Sequence, residues 1–291
     1  MTEAFAGDTS ASTTTSAVWR RRAGLPVVEW PAFDGLGLDA FVTSRRGGVS
    51  SGGYASLNLG LHVGDDAVAV VENRERVARA AGAGLDRFVF CEQVHQPGVH
   101  VVTAGDAGRG ARGRADAVAA TDALVTVTPG LVLVVMVADC VPLVLFDPVR
   151  RVLAVVHAGW AGTVRGVTPA AVEAMRGFGS DPADVVAGIG PSVHPDRYQV
   201  GADVRDLAVA AFGPRAPEVV HPATTAHDGT EPRWTFDLWR AAAVQLAAAG
   251  LRPELIHVAG MGTGPGTPFF SHRFEGPTAG RFAAVARLHP V

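Results

Sequence analysis

The sequence predicts a mixed α/β (α+β) protein built of several layers. Short Val-rich runs recur along the chain with Gly, Pro and Asp at their ends, which is typical of buried β-strands. Between some of these runs lie segments with helix start and stop signals, such as an Ala-rich one closed by Gly250. With 291 residues, 48% of them hydrophobic, the chain is long and apolar enough to bury a core of this kind.

The predicted elements alternate along the chain without an internal repeat or a clear linker. Strands are predicted at residues 40–43, 87–90, 99–102, 122–127, 131–137, 141–146, 152–156, 185–189 and 256–259. Helices are predicted at about 65–81, 168–177, 202–212 and 236–249. We therefore expect one domain over residues 24–291, preceded by a disordered Ala-, Ser- and Thr-rich tail at residues 1–23.

Composition points to a small-molecule partner. The net charge of −3 provides no positive field for nucleic acid or for an anionic membrane surface. The most apolar stretch, residues 131–146, is interrupted by polar residues and is shorter than the ~20 residues of a membrane-spanning helix. We therefore predict no nucleic-acid partner and no membrane span, while the oligomeric state stays open.

The basic and sulfur-containing residues exclude several chemistries. All 25 basic residues are Arg, which excludes Schiff-base catalysis by Lys and the Lys of a P-loop. Two cysteines, Cys91 and Cys140, are too few for a four-cysteine zinc site, an iron–sulfur site or a framework of disulfides. Reduced thiols and a cytoplasmic location are the expectation.

A predicted hairpin brings a thiol and an imidazole together. Residues 147–150 (Asp-Pro-Val-Arg) form a turn signal between two apolar runs. If Asp147 pairs with Arg150, Cys140 lies directly opposite His157 on the same face of the hairpin. Their side chains could then share one metal ion, at about 2.3 Å from sulfur and about 2.0 Å from nitrogen.

His95 is a third candidate ligand, because it follows another predicted strand and precedes a Gln-Pro-Gly loop. Two imidazoles and one thiolate would leave the fourth position of a zinc ion open, as in catalytic sites. Each residue also has an ordinary structural explanation, namely a hydrogen-bonded His or a small buried Cys.

A Gly-rich loop at residues 43–53 carries two guanidinium groups and the adjacent Gly47 and Gly48. Such a loop can turn main-chain N–H groups towards an anion while Arg45 clamps it. A flexible solvated loop is the alternative explanation for the same pattern.

Taken together, these motifs resemble the laccase-domain family. Its members have been labelled multicopper polyphenol oxidases, zinc-dependent purine nucleoside phosphorylases and peptidoglycan editing factors. The resemblance runs in order through residues 43–50, 56–59, 64–65, 92–95, 138–142, 157–160, 189–191 and 269–273.

The resemblance implies a multilayer sandwich of two mixed β-sheets flanked by helices, with zinc on His95, Cys140 and His157. It also implies phosphorolysis of adenosine, inosine, guanosine and methylthioadenosine, and deamination of adenosine. In this reading Arg45 is catalytic, and the substrate or phosphate is bound by Gly47, Gly48, Asn58 and Arg273. The chain departs from the family pattern at Ala161, where Arg is usual, at Met261, where Cys is common, and at His272, where Tyr is usual.

Two other functions fit the same residues. Two His and one Cys could bind copper instead of zinc, as in an oxidase of phenols, although ten His without a His-x-His pair are a poor source of ligands for a trinuclear cluster. Alternatively, Cys140 could be a nucleophile with His157 as its base, as in a cysteine hydrolase. A role in peptidoglycan editing is a further possibility that these residues do not test.

Overall fold

The computed structural model describes residues 16–223 and 233–290. The strands are β1 Val18–Arg22, β2 Leu25–Glu29, β3 Leu38–Thr43, β4 Phe88–Phe90, β5 Val99–Val101, β6 Ala123–Thr126, β7 Val132–Val137, β8 Val141–Asp147, β9 Val152–Ala158, β10 Val186–Ile189, β11 Ser192–Val193, β12 Gln199–Val200, β13 Val220–Pro222, β14 Trp234–Phe236, β15 Ile256–Val258, β16 Gly262–Thr263 and β17 Phe282–Leu288. The α-helices are α1 Ala67–Ala80, α2 Trp160–Val164, α3 Val167–Arg176, α4 Ala202–Phe212, α5 Leu238–Ala248 and α6 His272–Glu275. Every predicted strand and helix is present, within a few residues at its ends.

Two six-stranded mixed sheets form the centre of the fold, which confirms the predicted sandwich. The first sheet has the order β1-β2-β3-β17-β7-β4 and the second β15-β10-β8-β9-β6-β5. Each sheet is mixed, because it combines parallel and antiparallel pairs of strands. The parallel pairs are β4 with β7 in the first sheet, and β10 with β15 and β5 with β6 in the second. The prediction omitted β17, although it lies in the middle of the first sheet; its run of Ala lacks the Val-rich pattern of the other strands.

Alternating side chains on the strands separate the layers. On β8, Val144 and Phe146 pack in the core between the two sheets, whereas Leu143 and Leu145 pack against α3, α4 and α5. Helix α1 covers the other side of the first sheet through Val77 and Ala78. The order of layers is therefore α1, first sheet, second sheet and the remaining long helices.

The predicted boundary of the disordered tail is wrong where it can be compared with the structure. Residues 18–22 form β1, which pairs with β2 through a two-residue turn at Ala23 and Gly24, both with positive φ. The exposed arginines of this strand contact acidic partners, for example Arg20 with Glu29 and Asp34. An edge strand with so many arginines has no alternating apolar pattern, so the sequence does not reveal it; residues 1–15 lie outside the described residues.

An ion-pair cluster around Asp39 joins the edge of the first sheet to the end of the chain. Arg22, Arg287 and His289 all contact the Asp39 carboxylate. Burial alone would raise the pKa of Asp39, but these hydrogen bonds outweigh it and lower that pKa below its usual value.

None of the helices within the described residues is long and apolar enough to cross a bilayer.

Candidate metal centre

The three predicted ligands converge. His95 follows β4, Cys140 precedes β8 and His157 lies on β9. Their donor atoms all lie within 4.8 Å of one another, and 3.8 Å separates Cys140 Sγ from His95 Nε2. The two imidazole rings meet edge to face, with 4.7 Å between their centroids. No other group of three His, Cys, Asp or Glu side chains in residues 16–223 and 233–290 is arranged to hold one ion.

The predicted hairpin register is wrong by two residues. Asp147 pairs with Val152 and not with Arg150, and Pro142, not Cys140, lies opposite His157. The turn is longer than predicted because Asp147 Oδ1 accepts hydrogen bonds from the N–H groups of both Val149 and Arg150. A shift of two residues keeps every side chain on its face, so the thiol and the imidazole still meet.

A bend before β8 brings Cys140 to His157 despite this register. Asp139, just before it, has φ of +85°. Its carboxylate accepts hydrogen bonds from the hydroxyls of Thr263 and Ser271 and from the N–H of Arg273. These three hydrogen bonds hold the bend in place. They give Asp139 a structural role, and this role accounts for the residue without an acid–base function.

Asp122 is the main residue of the centre that sequence reasoning missed. This fully buried carboxylate lies 2.7 Å from His157 Nδ1 and accepts hydrogen bonds from the consecutive N–H groups of Val94, His95 and Gln96. Asp122 therefore orients the imidazole of His157 directly, and it orients His95 by holding the His95 backbone, whose φ is +59°. An Asp at the start of a strand carries no pattern that would have predicted this role.

The charges of the pair Cys140 and His157 favour a thiolate. Burial would raise the pKa of Cys140, but His157 and His95 lower it to about 6. Burial would lower the pKa of His157, whereas Cys140 and Asp122 raise it to about 9. Without a metal, the shifts of both pKa values favour a thiolate beside an imidazolium, a pair that suits either a metal ligand or a nucleophile.

Gly159 and Arg165 complete the surroundings of the ligands. A Cβ on Gly159 would lie 2.8 Å from Cys140 Sγ and 2.9 Å from His95 Cδ2, so any side chain there would enter the centre. The Arg165 guanidinium donates a hydrogen bond to the carbonyl of His95. Arg165 lies four residues after Ala161, where the family usually has Arg, and it contacts the loop that carries His95.

The ligands lie on the wall of a cavity of about 760 Å³, called the triad cavity below. Its other charged lining is mainly cationic and includes Arg74, Arg114 and Arg281, with His62 beside them. Desolvation in the cavity, together with the charges of Arg281 and Arg114, lowers the pKa of His62 to about 4, so its ring is neutral at pH 7. Glu92 is the acidic group of this lining. The cavity thus combines soft metal ligands with a surface suited to an anion.

Two of the cavity arginines are held in different ways. Arg74 is buried, donates hydrogen bonds to the carbonyls of Leu59, Gly110 and Ala111, and stacks 3.9 Å above Phe90. Arg281 NH1 donates to its neighbouring backbone carbonyls. Neither guanidinium has a carboxylate partner among the described residues, so their charge is not neutralised locally.

The other predicted site residues lie outside the lining of the triad cavity. The Arg45 guanidinium contacts Glu275, the carbonyl of Ala55 and the ring of Phe270. Arg273 donates to the carbonyl of Gln199 and lies over the ring of Tyr198. Neither position supports direct contact with a ligand in this cavity.

The Gly-rich loop is packed rather than open. A Cβ on Gly47 would lie 2.6 Å from Leu25, and a Cβ on Gly48 would lie 2.1 Å from the carbonyl of Ser56. The N–H of Gly48 donates to the Ser56 hydroxyl and that of Val49 to the Asn73 side chain. These glycines are explained by close packing, and their positions do not support the predicted anion-binding loop.

Asn58 is completely buried and binds the protein itself. Its amide group donates to Asp65 and to the carbonyl of Gly60, and its oxygen accepts from the N–H groups of Gly60 and Arg281. Asn58 therefore positions Arg281 at the cavity, a contribution that differs from the predicted binding of substrate.

The departures from the family pattern fall in different places. His272 lines the triad cavity, Ala161 is buried in α2, and Met261 lines a separate cavity described below.

Comparisons with known proteins show the family of the chain. Residues 39–289 match the family model described as multi-copper polyphenol oxidoreductase laccase. The purine nucleoside phosphorylase YlmD of Geobacillus stearothermophilus is 37% identical over 250 residues, which are 85% of this chain and 89% of that protein. A purine nucleoside phosphorylase of Mycobacterium bovis is 40% identical over 244 residues, 84% of this chain and 89% of its own.

Solved structures give the same result. The crystal structure of YlmD from Geobacillus stearothermophilus superposes with a TM-score of 0.86 and 34% identity, covering 94% of this chain and all of that one. The YfiH protein of Bacillus licheniformis superposes with a TM-score of 0.84 and 32% identity, covering 90% and 96% of the two chains. The chain therefore belongs to the family of multi-copper polyphenol oxidoreductase laccase domains, as the sequence motifs predicted.

Proposed function

We propose that the chain is a zinc-dependent purine nucleoside phosphorylase that accepts adenosine, inosine, guanosine and methylthioadenosine and also deaminates adenosine. The observation that carries this proposal is the convergence of His95, Cys140 and His157 on a cavity whose remaining charge is mainly cationic. The names of the relatives, all purine nucleoside phosphorylases, support it.

The three side chains fit a zinc ion. Two tetrahedral zinc ligands, one sulfur and one nitrogen, are about 3.5 Å apart, close to the 3.8 Å between Cys140 Sγ and His95 Nε2. A proton on His157 Nδ1, held by Asp122, leaves Nε2 available to the metal. Three protein ligands leave a place for substrate, where zinc would act as a Lewis acid.

The cationic wall suits the second substrate, phosphate. Arg114 and Arg281 line the triad cavity without carboxylate partners among the described residues, and guanidinium groups bind phosphate oxygens in pairs. The neutral His62 can exchange hydrogen bonds with a sugar hydroxyl without adding charge. Phosphate held there would displace the base from the ribose, giving ribose 1-phosphate and a free purine.

A cysteine hydrolase is the second candidate, because the thiolate-favouring pKa of Cys140, about 6, suits a nucleophile as well as a metal ligand. Treatment with a chelator separates the two, since a metal-free hydrolase keeps its activity.

The family description motivates the copper oxidase alternative. A trinuclear copper cluster needs more ligands than the one His-Cys-His group found in the described residues. Oxygen uptake with a phenol and copper-loaded protein tests this alternative directly.

The decisive experiment combines metal analysis with a product assay. Zinc-loaded protein is incubated with adenosine and phosphate, and ribose 1-phosphate, adenine and inosine are measured. We expect all three products with the wild type and none with Cys140→Ala. Arg281→Gln should raise the KM for phosphate at least tenfold, whereas Arg252→Gln, a change at an exposed arginine outside the cavity, should not. Absence of ribose 1-phosphate from zinc-loaded protein would contradict the proposal.

Both cysteines are free, which supports the cytoplasmic location proposed from the sequence.

A further inference from the structure

A second cavity of about 700 Å³ lies apart from the triad cavity and shares none of its lining residues. It is bounded by β1, by the start of the Gly-rich loop and by the segment 261–269. Its volume is within the range of about 300–1,000 Å³ that is usual for small-molecule sites. The proposed metal chemistry does not use it.

One wall of this second cavity is aromatic. Trp19 on β1 is 45% exposed, although its large apolar ring would normally be covered. Its ring stacks on Phe269 at 5.7 Å between centroids and 21° between planes, and Phe269 in turn packs against Phe282 in the core. The indole is thus held in place by the core while almost half of its surface stays open. A fixed, open indole is a platform on which a flat ring can stack.

The charged lining of the second cavity is entirely basic. It is lined by Arg20, Arg21 and Arg46, and no Asp or Glu of the described residues lines it. Arg20 is neutralised by Glu29 and Asp34. The Arg21 guanidinium donates only to the carbonyl of Gly24, and that of Arg46 has no partner in the described part of the chain.

The two guanidinium groups therefore leave an uncompensated positive charge beside an apolar, aromatic surface. In a chain of net charge −3, where arginines such as Arg22 and Arg287 are paired with carboxylates, this is a local excess of positive charge. Guanidinium groups favour phosphate and carboxylate ligands because they can donate two parallel hydrogen bonds.

We propose that the second cavity binds a small ligand that combines a flat aromatic ring with an anionic group and has about the size of a nucleoside monophosphate. The ring stacks on Trp19, and Arg46 and Arg21 hold the anionic group. The site is independent of the metal ligands and of the reaction proposed for them.

Isothermal titration of the full chain with AMP tests the proposal, with adenosine and ribose 5-phosphate as probes that each lack one half of the ligand. We expect AMP to bind, and each partial probe to displace AMP at least tenfold more weakly than AMP itself binds; displacement is measured because adenosine, the proposed substrate, also binds in the triad cavity. Arg46→Gln removes one cation from an exposed position and should weaken AMP binding at least tenfold. Arg281→Gln makes the same chemical change in the triad cavity and is the matched control.

Tryptophan fluorescence assigns the binding to this site. AMP should quench the emission of the wild type, and Trp19→Phe should lose that quenching while it keeps the binding heat, because Phe still provides a ring. Trp19→Ala should lose both. No heat with AMP at millimolar concentration would overturn the proposal, and so would binding that Arg281→Gln weakens and Arg46→Gln leaves unchanged.

Discussion

Replacement of Asp122 by Asn is the most informative single change in the metal centre. The carboxylate accepts from His95 N–H and faces His157 Nδ1 with one oxygen, and accepts from Val94 and Gln96 N–H with the other. Asn has the same shape but only one acceptor oxygen. Its NH2 group must therefore replace one of the two oxygens. The protein then loses the hydrogen bonds from the Val94 and Gln96 N–H groups in one orientation, and those from the His95 N–H and the His157 imidazole in the other.

The expected magnitude follows from these contacts. Loss of a residue that orients a metal-bound imidazole typically weakens metal binding by about 10–100-fold, or about 1.4–2.7 kcal/mol. Hydrogen bonds to a charged group contribute about 1.5–3 kcal/mol to folding, so the free energy of unfolding should fall by a similar amount. We expect both effects in Asp122→Asn.

The assay is a competition titration of zinc against a chelating dye, with thermal unfolding measured on the same samples. Asp106→Asn is the control, because Asp106 also accepts a backbone N–H, from Thr103, and binds Arg109, but does not line the triad cavity. It should reduce stability and leave zinc affinity unchanged. If Asp122→Asn binds zinc as tightly as the wild type while it unfolds as easily as the control, Asp122 does not orient His157.

Three further changes test the structure elsewhere. Gly159→Ala should weaken zinc binding at least tenfold, since its Cβ would lie 2.8 Å from Cys140 Sγ. Gly113→Ala, at a glycine that lines the triad cavity and has nothing within 4 Å of such a Cβ, should bind zinc normally in the same titration. Arg74→Met leaves three buried carbonyls without their donor and should cost about 3 kcal/mol of unfolding free energy in urea, with a loss under 1 kcal/mol counting against this view. The pKa of Asp39 is lowered in the folded protein, so the stabilisation that its charge provides is present above about pH 4 and is lost as the pH falls through the folded pKa. Asp39→Asn should therefore lower the free energy of unfolding at pH 7 and match the wild type more closely at pH 3. An equal difference from the wild type at both pH values would contradict this sign.

Much of the architecture could be predicted from local sequence patterns. The Val-rich runs that became β7, β8 and β9 are buried along their whole length, so their composition alone marks them as central strands. Helix α5 is also predictable, because Asp237 caps its start and Gly250, with φ of +105°, follows its end. Such features depend on neighbours in sequence.

Features that depend on ion pairs or on the length of a turn were predicted less well. The edge strand β1 is held by partners such as Glu29 and Asp34, and the hairpin register depends on how many backbone N–H groups the Asp147 side chain accepts. Neither is a periodic pattern. The register error left the site intact only because a shift of two residues preserves the faces of a strand.

The sequence by itself determined which residue types could bind a metal and next to which strands they lie, because thiol and imidazole groups and strand periodicity are properties of the local chain. Only the tertiary structure decided that Asp122 holds two of the ligands in place, that Asn58 accepts a hydrogen bond from the backbone of Arg281, and that Arg45 contacts Glu275. Each of these contacts joins residues distant in sequence. Such contacts exist only once distant segments of the chain have come together in the folded structure, so no local pattern records them.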